Sequence, residues 1–103
     1  MAHDILVVDD EADIRGLIAD ILRDEGYSCR EAANSSEALG ALMDRLPSLM
    51  VLDIWLQGSE MGGIQILEAT KQHHGALPVI MISGHADIET AVSAIKIGAY
   101  DFI

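Results

Sequence analysis

Three runs of consecutive aliphatic residues, Ile5-Leu6-Val7-Val8, Leu49-Met50-Val51-Leu52 and Val79-Ile80-Met81-Ile82, constrain this chain more than anything else in it. Each is too short for a helix and too continuous for a strand with one wet face. Each therefore reads as a strand buried on both faces, as in a parallel sheet. The first run stops on Asp9 and Asp10, the second on Asp53, and the third on Ser83-Gly84. Parallel strands bring like ends to one edge of a sheet, so the spacing asks whether these polar ends meet.

The segments between the runs carry helical patterns. Asp9, Asp10 and Glu11 suit the start of a helix, where acids face the positive end of the helix dipole. Ile14, Leu17, Ile18, Ile21 and Leu22 then form one apolar stripe, and Gly26 sits where a left-handed cap ends it. Residues 27 to 32 read as a more polar strand near a sheet edge. Asn34 with Glu37 resembles a capping box, and Leu39, Leu42, Met43 and Leu46 repeat the stripe as far as Pro47. Residues 54 to 63 contain three glycines and little periodicity, and read as a long loop on the side of the acids. A modest helix runs from Ile64 to His73. Ile88, Ala91, Val92 and Ile95 mark another that Gly98 closes, and residues 100 to 103 begin a fifth strand. The leucine and isoleucine stripes are expected to be core. Alternating strands and helices with short connections imply right-handed crossovers and a doubly wound α/β sheet.

At 103 residues the chain suits one domain with a single core. Its 17 acidic against 6 basic residues give a formal net charge of −11, which opposes attraction to nucleic acid or to an anionic membrane. A metal cation suits so acidic a chain better. The lone cysteine, Cys29, can form no disulfide within the chain and reads as a small buried residue on a strand. No apolar run approaches the length of a membrane span, and the N-terminus has no basic region leading into a long apolar stretch, so a cytoplasmic setting is expected. The pair His73-His74 lacks a third ligand and reads as a solvated helix end.

In a doubly wound sheet, functional groups gather beyond the carboxyl ends of the strands where strand order reverses. Here that edge holds Asp9, Asp10, Asp53 and Ser83. Two carboxylates 4 Å apart repel by about 4 kcal/mol at an effective dielectric near 20. Three of them must either take up protons or hold a cation, and oxygen-only ligation favours a hard ion such as Mg²⁺ with room for a phosphate oxygen. Asp53, alone at the end of the middle strand, is the better nucleophile, with Asp9 and Asp10 holding the metal. Ser83 can hydrogen-bond one oxygen of an acyl phosphate, and Gly84 leaves it room.

These residues resemble the receiver domains of two-component response regulators. Val8-Asp9-Asp10-Glu11, Leu52-Asp53, Ile82-Ser83-Gly84 and Gly98-Ala99-Tyr100-Asp101-Phe102 match that family's motifs in order, over the whole chain. The resemblance implies a flavodoxin-like five-stranded parallel sheet of order 2-1-3-4-5. It implies Asp53 as phosphoacceptor, Asp9 and Asp10 as the acid pocket, and the backbone carbonyl of Trp55 as a further metal ligand. Ser83 and Phe102 become the switch pair, Trp55, Gly84 and His85 flank the pocket, and Mg²⁺ is the cofactor. The partner implied is a sensor histidine kinase, and the output is transcription control through domains outside this chain. His85 and the ending around Tyr100 look most like the nitrogen-regulation (NtrC/NtrX-like) class. The loop after Asp53 is about two residues longer than usual, with Gln57 where a proline is common, as in the NtrX variant. Trp55 and His85 are expected to slow loss of the phosphoryl group.

The family's lysine should lie about two positions past Ile103, followed by a fifth helix; neither is in the chain. Lys71 and Lys96 do not match the motif. The expectation is one receiver domain over residues 1–103, truncated after its fifth strand, with an exposed apolar face that favours a homodimer. Two other readings remain open. An aspartate-nucleophile phosphohydrolase would place a second aspartate two residues after Asp53, where this chain has Trp55. A receiver-like module that binds partners without phosphorylation would need no lysine.

Overall fold

The computed structural model describes residues 3–82 and 88–103. Its elements follow in the order β1 (Asp4–Val8), α1 (Ala12–Asp24), β2 (Ser28–Ala32), α2 (Ser35–Asp44), β3 (Leu49–Asp53), α3 (Gly63–His73), β4 (Val79–Ile82), α4 (Ile88–Ile97) and β5 (Asp101–Phe102). The five strands form one sheet of order β2-β1-β3-β4-β5, and every neighbouring pair is parallel. Register decides what meets at its carboxyl edge. Val8 lies opposite Leu52, so the next residues, Asp9 and Asp53, leave the sheet side by side.

Alternation along the strands splits the core in two. Leu6, Val8, Met50, Leu52, Val79 and Met81 face α2, α3 and α4, where they meet Ala38, Leu42, Ile66, Leu67 and Ala94. Ile5, Val7 and Val51 face the other way, against Ile18 and Leu22 of α1. Gly26 takes φ +96° just past α1, as its place after the stripe predicts. Asn34 caps α2 by accepting the Glu37 amide at 2.9 Å. The return bond differs from a capping box, because Glu37 Oε1 accepts from Ala33, one residue before the cap.

Several stripe residues are not core. On α1, Ile14, Leu17 and Ile21 are exposed; one 13-residue helix cannot roof its side of a five-stranded sheet, and only its Ile18–Leu22 edge reaches the strands. On α2, Met43 (88% exposed) and Leu46 point outward, because the helix ends at Asp44 and buries Ser35, Ala38 and Leu42 instead. On α4 the buried edge runs through Ala94, with Ile97 packed beside it, leaving Ile88, Val92 and Ile95 in solvent. Cys29 is half-buried rather than buried, since β2 is an edge strand. His74 caps α3, as expected for a helix end.

Opposite the acidic edge, Arg30 joins three elements. Its guanidinium donates to Asp4 Oδ2 at 2.7 and 3.0 Å, and to the carbonyls of Ala41 (2.8 Å) and Arg45 (2.6 Å) at the end of α2. One side chain thus serves the carbonyls at the end of α2 and a strand carboxylate together. Burial pushes the Asp4 carboxyl up, but hydrogen bonds from Arg30 and Arg45 more than reverse this and hold it below its ordinary value. Arg30→Ala should lower the unfolding free energy by about 2–3 kcal/mol in urea denaturation. Arg45→Ala, whose side chain is 62% exposed, should cost less than about 1 kcal/mol.

Candidate phosphoryl and metal site

The β1 and β3 ends bring Asp9, Asp10 and Asp53 together, with one carboxylate oxygen from each lying within 4.8 Å of the others. Asp9 is 3% exposed. Its backbone amide donates to the Ala32 carbonyl at 3.1 Å, its Oδ1 accepts the Glu11 amide at 2.9 Å, and its carbonyl accepts from Arg15 at 2.9 Å. Asp10 Oδ2 accepts the Gln57 amide at 3.2 Å. Asp53 Oδ1 accepts the Trp55 amide at 3.3 Å, which sets the Trp55 backbone beside the carboxylate.

The electrostatics follow from this crowding. Burial pushes the Asp53 carboxyl up; the negative charges of Asp9 and Asp10 add to it, while the Trp55 and Ile54 amides oppose it, and the result is about 6. Asp9 is raised as well, first by burial and then by Asp10, against the Glu11 amide and Arg15. Between the ordinary value of 3.8 and about 6, folded Asp53 holds its proton more tightly than the unfolded chain does. Stability therefore falls as pH rises through that window. A cation among these oxygens would remove the penalty, and a set of three carboxylates suits a hard divalent ion.

The other expected site residues are placed less fully. Ser83, Gly84 and His85 lie outside the described residues. Phe102 lies on β5, opposite Met81 and partly buried against the larger core. The Trp55 side chain is 55% exposed and lines a cleft with Ile64, Gln65, Glu89 and Ser93, between the loop and α4. The Lys71 ammonium is engaged by the carbonyls of Leu77 and Gly75, away from the acids.

Two contributors carry no sequence signal of their own. Arg15, on the first turns of α1, donates to the Asp9 carbonyl and to Glu31 (3.1 Å), so it braces the strand end from outside. Gly63 opens α3 directly beneath Asp53. A β-carbon there would stand 2.2 Å from the Asp53 carbonyl oxygen and 2.7 Å from Ile54 Cα. In the sequence the Gly62-Gly63 pair reads only as loop punctuation, because the close approach comes from the fold.

Residues 5–103 match the response regulator receiver domain family. The chain belongs to that family. It is 60% identical over 103 residues to the nitrogen assimilation regulatory protein NtrX of Azorhizobium caulinodans, covering all of this chain and 23% of that protein. It is 37% identical over 99 residues to the transcriptional regulator NtrC of Salmonella typhimurium, covering 96% of this chain and 21% of that protein. The crystal structure of the receiver domain of NtrX from Brucella abortus superposes with a TM-score of 0.93 at 61% identity, over 97% of this chain and 83% of that one. The receiver is thus of the nitrogen-regulation class, and it spans about a quarter of the length of the curated relatives it matches. Among the described residues, no helix is long and apolar enough to cross a membrane.

Gly63→Ala tests how tightly this receiver packs under Asp53. The β-carbon meets backbone, which cannot rotate aside, so the variant should lose about 1–3 kcal/mol of stability. Its strand end should also shift, seen as changed amide resonances at Asp53 and Ile54. Gly40→Ala, where a β-carbon meets nothing within 4 Å, should cost no stability.

Proposed function

We propose that this chain is the phosphoacceptor switch of a two-component regulator, with Asp53 as the residue modified. The observation that carries the reading is the convergence of Asp9, Asp10 and Asp53 at the carboxyl edge between β1 and β3. A partner histidine kinase presents a phosphohistidine. A carboxylate oxygen of Asp53 attacks the phosphorus, the P–N bond breaks, and its electron pair returns to the imidazole of the kinase. Such a transfer needs positioning and charge neutralisation more than covalent help from the protein. Mg²⁺ held by Asp9, Asp10, Asp53 and the Trp55 carbonyl would supply the positive charge that lets phosphoryl oxygens approach three carboxylates. It would also favour the ionised, nucleophilic form of Asp53, whose pKa otherwise stands near 6.

Ser83 and Phe102 form the switch pair of this reading, and Trp55, Gly84 and His85 flank the pocket. The modified state changes the surface of α4 and β5. Exposed Ile88, Val92, Ile95 and Tyr100 on that surface support pairing with a second copy. Carrying such a switch from 1% to 99% active takes about 5.5 kcal/mol of differential stabilisation. The output is transcription control in the cytoplasm through other domains, since a net charge of −11 gives this one no grip on DNA.

Incubation with acetyl phosphate and Mg²⁺, followed by mass measurement, tests the reading. One phosphoryl group should be gained, none with a chelator present, and none in Asp53→Asn. Repeated turnover of a generic phosphate ester would instead favour a phosphohydrolase.

A further inference from the structure

The loop between β3 and α3 is tied to α2 by two serines that belong to no motif. Ser59 Oγ accepts the backbone amide of Ser35, the first residue of α2, at 2.8 Å, and donates to the Met61 carbonyl at 2.7 Å. Ser35 Oγ in turn accepts the Met61 amide at 3.2 Å. Ser35 is 3% exposed and sits on the same α2 face as Ala38 and Leu42, so its position is fixed by the core. At its base the loop is closed by the Gly63 amide donating to the Ile54 carbonyl at 3.0 Å.

Between base and latch lie Trp55 and Gln57, whose amides reach Asp53 and Asp10. Gly58, at φ +71°, turns the chain from Gln57 towards Ser59. The segment that touches the acids is therefore held at both ends, by backbone pairing at one and by serine hydroxyls at the other. Helix capping alone does not explain the arrangement. Asn34 already caps α2, and water can serve the Ser35 amide at an open helix end. The paired bonds through Met61 fix the loop instead.

We infer that Ser59 and Ser35 are positioning residues for the cation and phosphoryl site, holding residues 55–57 against Asp53 and Asp10. The inference rests on the function proposed above and deepens it. Partners that orient a ligand from behind typically change metal affinity or activity by about 10–100-fold when removed.

Trp55 is the single tryptophan of the chain and lies inside the held segment, so its fluorescence reports Mg²⁺ binding directly. In Mg²⁺ titrations, Ser59→Ala should weaken the Kd by about tenfold and slow phosphorylation from acetyl phosphate at subsaturating Mg²⁺ by a similar factor. Ser35→Ala, which cuts only the Met61 bond, should weaken it by about threefold. Ser59→Thr, which keeps the hydroxyl, should stay within about twofold of the parent. Ala41→Gly, which weakens α2 without touching the loop, should leave the Kd unchanged. Parental Kd values in both alanine variants overturn the inference, whatever happens to their melting temperatures. So does an equal loss in Ala41→Gly or Ser59→Thr. A parent chain that neither binds Mg²⁺ nor gains a phosphoryl group overturns the proposed function and the inference with it; a parent that does both, beside indifferent serine variants, overturns the inference alone.

Discussion

The parallel register of β1 against β3 forces three carboxylates into one small volume, and the edge of the sheet is arranged around that repulsion. Once Val8 is opposite Leu52, Asp9 and Asp53 must emerge together, and Asp10 follows within reach. Like charges at such distances cost several kcal/mol unless screened, protonated or bound to a cation. The fold answers with backbone amides, one from Glu11 to Asp9, one from Gln57 to Asp10 and one from Trp55 to Asp53. Neutral donors do not offset the burial of Asp53 beside two further negative charges, and its carboxyl is raised first by that burial and then by Asp9 and Asp10. An acidic cluster of this composition could hold a divalent cation, as the proposed function requires.

The loop after Asp53 is the other half of the device. It must approach the acids closely enough to donate amides, yet it leaves the sheet at an irregular segment of nine residues. Gly63 lets α3 start against the Asp53 carbonyl, and Ser35 of α2 with Ser59 of the loop holds the far end. Core burial, from Ala38 and Leu42 in α2 to Ile66 and Leu67 in α3, anchors both supports. Stability made in the core is thus passed to the site through hydrogen bonds rather than through a rigid element.

Much of this was legible in the residues. Continuous aliphatic runs announced buried parallel strands, and acids at their ends announced the carboxylate cluster, because both signals are local. The strand order 2-1-3-4-5 came with the family resemblance rather than from periodicity. Helix faces were read less well. Periodicity finds an apolar stripe but not how far it is covered, so Ile14, Leu17 and Ile21 on α1 and Ile88, Val92 and Ile95 on α4 read as core and stand in solvent. Arg15, Gly63 and the Ser35–Ser59 pair were invisible for a different reason. Their roles depend on contacts between segments whose meeting only the folded chain shows.

The central claim is that burial beside two other carboxylates, relieved by a cation, sets the chemistry of Asp53. Its most direct test is a ¹³C NMR titration of the Asp53 carboxyl carbon with and without Mg²⁺. Without the ion the midpoint should lie near 6, well above the ordinary 3.8. With saturating Mg²⁺ it should fall below its metal-free value, because the ion favours the ionised form. A midpoint near 3.8 that Mg²⁺ leaves unmoved would contradict the account.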